Sequence, residues 1–98
     1  MARILVGEEL TRQAAELPEW DVVADSLRRT VEFRSFLAGI DCVRQVAADA
    51  EAMNHHPDID IRWRTVSFTL STHSEGGLTQ LDIELAHQIN AAVVAANT

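Results

Sequence analysis

The chain has 98 residues, 47% of them hydrophobic, and a formal charge of −7 with eight arginines and no lysine. That length supports one domain with a two-layer core and excludes a separate cofactor domain beside a substrate domain. The arginines are scattered from Arg3 to Arg64 with no basic stripe, so nucleic acid is not an expected partner, and no apolar run approaches a membrane span.

The N-terminal stretch Met1 to Val6 turns polar at Gly7-Glu8-Glu9, too soon for the apolar region of a secretion signal, and the chain is expected to be cytoplasmic. Cys42, the single cysteine, stands among apolar residues and is expected to be a buried thiol. Gly7 to Glu16 carries Leu10 and Ala14 at helical spacing, with Leu17 continuing the stripe and two glutamates in the first turn; Pro18 ends it. Trp20 to Val23 and Leu27 to Phe33 then predict two strands around an Ala24-Asp25-Ser26 turn. The alternation of Leu27, Arg29, Val31 and Phe33 against Arg28, Thr30, Glu32 and Arg34 implies a sheet covered on one face only.

From Arg34 to about Asn54 the period becomes helical, with Phe36, Ile40, Val43, Ala47 and Ala50 on one stripe, widened by Leu37, Val46 and Met53. Gly39 in that run marks close packing, and Pro57 requires the helix to end near His55. Ile59, Ile61 and Trp63 alternate with charged residues, and after a tight turn Val66, Phe68 and Leu70 alternate with hydroxyls, which predicts a second hairpin. The alternation puts Trp63 on the core side of its strand, with a rim contact to a flat ligand as the other reading. After Gly76-Gly77, Thr79 and Asp82 have capping spacing before a last helix from Leu81 to about Ala96. The order α-β-β-α-β-β-α predicts a single-domain α+β fold over residues 1–98, a four-stranded antiparallel sheet with helices packed on one face.

Three of the four histidines fall between Glu51 and Asp82. Glu51 lies four residues before His55, within reach along a helix face, and the negative helix end adds to its effect. Both influences favour imidazolium, a general acid able to protonate a leaving group, although the pair alone is also consistent with a plain helix-end ion pair. His73 stands at a strand end before a loop, where functional side chains collect, and both His55 and His73 are expected to face solvent. Adjacent histidines diverge at a turn and match no paired zinc-ligand spacing, so no metal is expected. Asp82 serves first as a helix cap, and His87, off the apolar stripe, receives no role.

The combined pattern Glu51-x3-His55-His56-Pro57-x5-Trp63-x9-His73-x8-Asp82 resembles the signature of the pterin-4a-carbinolamine dehydratases. Leu17-Pro18-x-Trp20, Thr72-His73 and Gly77-Leu78-Thr79 extend the resemblance over nearly the whole chain. It implies removal of water from 4a-hydroxytetrahydropterin to give quinonoid dihydropterin, in pterin recycling after aromatic amino acid hydroxylation, with no metal or organic cofactor. It also implies that His55 and His73 protonate the 4a-hydroxyl, His56 orients the pterin and Glu51 tunes the histidines, with Trp63, Thr72 and Asp82 as substrate contacts. Ile59 stands where animal members of that family place a tryptophan that lines the pocket, which bears on affinity rather than on the reaction. Family members assemble as homodimers or homotetramers, and an oligomer is expected here. Some relatives are non-catalytic assembly factors for a carbon-fixing enzyme or partners of a transcription factor, and the retained Glu51, His55, His56 and His73 weigh against that alternative.

Overall fold

A computed structural model describes residues 2–98. Its elements are α1 (Gly7–Ala14), β1 (Asp21–Val23), β2 (Ser26–Glu32), α2 (Phe36–Met53), β3 (Asp58–Arg62), β4 (Thr65–Leu70) and α3 (Gln80–Asn97). The strands form one antiparallel sheet in the order β1-β2-β4-β3, two hairpins joined by β2 against β4. This is the predicted α+β order.

The alternation of the central strands decides which face is covered. Leu27 and Val31 of β2, with Val66, Phe68 and Leu70 of β4, are buried beneath the helices. On the opposite face Thr30 and Ser67 meet through a 2.9 Å hydroxyl contact and stay open to solvent. The helices pack on each other and over β2 and β4, with Cys42 and Val46 of α2 and Leu85, Ala86 and Ile89 of α3 in the core. An added Cβ at Gly39 would lie 3.3 Å from the Phe33 ring and 3.5 Å from Val66, so this glycine permits the close approach of helix to sheet.

Two tryptophans depart from their expected places. Trp20 precedes β1 and is buried, its indole N–H donating to Asn90 Oδ1 at 2.8 Å, so it anchors the chain rather than extending a strand. Trp63 is 73% exposed instead of facing the core. It is the first residue of the two-residue turn between Arg62 and Thr65, with φ 54°, and it follows a strand whose Ile61 is itself 41% exposed, because β3 is at the sheet edge while the helices pack over β2 and β4. Its ring is covered by the Arg64 guanidinium, 4.9 Å from the centroid. Among the described residues no helix is long and apolar enough to cross a membrane.

Candidate active site

The antiparallel register brings the histidines together. Asp58 of β3 opposes Thr69 of β4, so the residues entering β3, His55 and His56, lie at the same sheet end as Thr72 and His73 leaving β4. The N-terminus of α3 arrives at that end with Thr79 and Asp82. The turn between β3 and β4 is at the other end, and Trp63 is therefore not part of this cluster.

The end of α2 sets the directions of the two adjacent histidines. Asn54 takes the left-handed conformation, φ 51° and ψ 44°. The Asn54 N–H donates to Glu51 O at 3.2 Å and the His55 N–H to Ala50 O at 3.0 Å, the two bonds of a Schellman motif. That reversal turns His55 inward, 9% exposed, and carries His56 back over the last helical turn. Glu51 consequently pairs with His56, at 2.5 Å between Oε2 and Nε2, and not with His55 as helical spacing suggested. The reason is that the i to i+4 relation ends with the helix at Met53. Both members of this pair are open to solvent, with side chains 55% and 76% exposed.

His55 is held by Asp82, whose Oδ1 lies 2.6 Å from His55 Nε2. Asp82 is fully buried, and its Oδ2 accepts from the Thr72 hydroxyl at 2.7 Å and from the Thr79 N–H at 2.9 Å. The Thr72 and Thr79 hydroxyls lie 2.8 Å apart, and the Leu81 N–H reaches Thr79 Oγ1 at 3.3 Å. Asp82 is thus the predicted capping-box residue and also the partner of His55, a second use of one carboxylate that helix-cap reasoning left out. Thr72 and Asp82, expected as substrate contacts, direct their polar atoms at His55 and at each other instead of at solvent. Thr79 was outside the candidate set; its capping position was the available signal.

His73 is exposed, as expected, on a loop closed by Thr72 N–H to Gly77 O at 3.0 Å and Gly77 N–H to Thr72 O at 3.4 Å. His55 is buried, against the expectation of a solvent-facing side chain, because Asp82 draws it under the α3 N-terminus. A cleft of about 280 Å³ lined by Ile4, Val6, Leu10 and Leu78 flanks the loop at Gly77 and does not include the histidines. Among the described residues no group of three or more His, Cys, Asp or Glu side chains is arranged to hold a metal ion. Cys42 is buried, as expected, and burial pushes its thiol up to about 11, with Arg29 nearby acting in the opposite direction.

Two adjacent imidazoles, each bonded to its own carboxylate, and a third imidazole one residue from the shared hydroxyl network thus lie at one end of the sheet of a two-layer α+β scaffold. A family model described as pterin 4 alpha carbinolamine dehydratase matches residues 4–92, and the chain belongs to that family. It is 53% identical over 90 residues to a Mycobacteroides abscessus protein named "Putative pterin-4-alpha-carbinolamine dehydratase", covering 92% of this chain and 96% of that one. A Mycobacterium avium protein of the same name is 52% identical over the same length, with the same coverage. A crystal structure titled transcriptional coactivator/pterin dehydratase from Brucella melitensis superposes with a TM-score of 0.89 at 32% identity, over 93% of this chain and 99% of that one. A pterin dehydratase-like protein described as a RuBisCO assembly factor in the alpha-carboxysome shares the fold at a TM-score of 0.62 and 20% identity, over 76% of this chain and 86% of that one.

Proposed function

We propose that this protein dehydrates 4a-hydroxytetrahydropterin to quinonoid dihydropterin, as a step of pterin recycling. The observation that carries the reading is the pair of adjacent histidines, His55 and His56, each bound to a carboxylate from a different part of the fold. The reaction needs a proton delivered to the 4a-hydroxyl, so that it departs as water, and a proton removed from the neighbouring ring nitrogen as its lone pair forms the new double bond. His55 and His73 supply the acid. His56, braced by Glu51 at the exposed rim, orients the pterin. An imidazole exchanges protons near neutral pH, which suits both halves of the reaction without a metal.

The test is the dehydration rate of freshly generated 4a-hydroxytetrahydropterin, followed by ultraviolet absorbance, for wild type, His56→Ala and His73→Ala. Wild type should accelerate the reaction, and removing the exposed acid in His73→Ala should cost about a hundredfold or more. His56→Ala should chiefly raise KM. A wild type no faster than buffer would refute the reading and leave a protein-binding role, of the kind named for the carboxysome relative, as the one to test.

A further inference from the structure

Asp82 is sealed from solvent and Thr72 nearly so, which means that neither can act on a ligand except through His55. We propose that Asp82 is a positioning residue that fixes a proton on His55 Nε2 and leaves Nδ1 as the nitrogen that exchanges a proton with the pterin. The catalytic half of this statement rests on the function proposed above; the proton assignment does not.

Counting the hydrogens around Asp82 leads to this assignment. A backbone N–H can only donate, so the Thr79 N–H obliges Asp82 Oδ2 to accept. The Thr72 hydroxyl also donates to Oδ2, which spends its single hydrogen. Its 2.8 Å contact with Thr79 must then use the Thr79 hydrogen, while Thr79 Oγ1 accepts from the Leu81 N–H. Every hydrogen in the chain from Leu81 through Thr79 and Thr72 therefore points towards Asp82. With Oδ2 occupied as an acceptor twice, an ionised Asp82 has no hydrogen of its own to give, and under the proposal Oδ1 completes the set by accepting from His55 Nε2, 2.6 Å away. His55 Nδ1 makes no hydrogen bond among the described residues. It is not sealed either, because among the described residues the one side-chain nitrogen or oxygen both buried and unpaired is Arg64 Nε.

The same count predicts what Asp82→Asn does. Two donors already face the Oδ2 position, so the amide must put its carbonyl oxygen there and turn its NH2 towards His55. Nε2 then has to accept, and the proton of the neutral ring moves to Nδ1. The helix cap survives this exchange, whereas the histidine tautomer is reversed.

The experiment is nitrogen-15 NMR of the imidazoles in histidine-labelled protein at pH 8, the His55 signals being assigned by their loss in His55→Gln. Wild type should show Nε2 protonated; Nε2 without a proton would overturn the proposal and make Asp82 the donor. Folded Asp82→Asn should show Nε2 unprotonated, with kcat lowered at least about tenfold and KM within about twofold of wild type. A folded Asp82→Asn that keeps the proton on Nε2, or keeps the wild-type kcat, would equally overturn it. Should Asp82→Asn fail to fold, the wild-type spectrum decides the assignment alone. Should wild type show Nε2–H and yet not dehydrate the pterin, the proposed function falls and the assignment stands.

Discussion

Asp82→Ala and Glu51→Ala remove the same kind of group from the two histidine pairs, and burial should separate their costs. Asp82→Ala strands three donors in the interior, on His55, Thr72 and the Thr79 backbone, and also opens the capping box. Breaking a buried, hydrogen-bonded pair from one side costs about 3–5 kcal/mol. A domain of this size has a total stability of about 5–15 kcal/mol, so the variant stands near the limit of folding. Glu51 is three-quarters exposed and its partner His56 more than half, so water replaces what the variant loses and the cost is under about 1 kcal/mol. Since 1 kcal/mol moves Tm by about 4–8 °C in a domain of this length, Asp82→Ala should lower Tm by about 12 °C or more. The Glu51→Ala loss should stay below about 8 °C. Thermal and urea unfolding followed by circular dichroism at one fixed protein concentration would measure both, with coincident probes checking two-state behaviour. An Asp82→Ala variant that loses no more stability than Glu51→Ala would refute the reasoning, because the buried network would then contribute no more than a surface pair.

Cys42 should resist alkylation at pH 8 in the native state and react on unfolding, since burial raises its thiol to about 11. The folded state holds that proton more tightly than the unfolded chain, so stability is intact below about pH 9 and declines as pH rises towards 11. Alkaline unfolding of Cys42→Ala beside wild type would check the sign; an equal decline in the variant would contradict it. Ala24 has φ 55° at the first position of the β1–β2 turn, and Ala24→Gly should relieve left-handed strain and stabilise by about 1 kcal/mol, read as an increase in Tm. We propose, finally, that the protein self-associates, because Phe36, Leu37 and Trp63 are each at least half exposed. Light scattering coupled to gel filtration should give a dimer or tetramer mass, and a monomer would refute this.

Legibility in the sequence tracked periodicity. Val66, Phe68 and Leu70 alternate with hydroxyl residues over a whole strand and are buried as that period implies, whereas the helical period located α2 but not its buried face, which runs through Ala38, Cys42, Val46 and Ala50 and leaves Phe36 and Ala47 exposed. Ile61 and Trp63 did not follow, because alternation does not reveal that β3 is an edge strand the helices leave uncovered, and Trp63 lies moreover at positive φ in the turn. The Glu51 partner was misassigned for a related reason. Spacing rules hold inside a helix, and Asn54 ends this one a residue before His55. That asparagine, followed by His-His-Pro, was the available signal for a left-handed cap. The Asp82–His55 contact spans 27 residues and has no periodic signature, so only the register of β3 against β4 and the arrival of α3 reveal it.

The two halves of the site bear unequally on the question of enzyme against scaffold. The buried half, His55 with Asp82, Thr72 and Thr79, caps α3 and satisfies an interior carboxylate, so a protein that only binds partners would also have reason to keep it. The exposed half has no such second use. Glu51 with His56 is a surface pair that contributes little to folding, and His73 makes no side-chain hydrogen bond among the described residues. Under the proposed function these groups offer proton exchange at a surface a ligand can reach. Substitutions at His56 and His73 therefore separate the readings more cleanly than any at His55, since a change in rate there cannot be traced to lost stability.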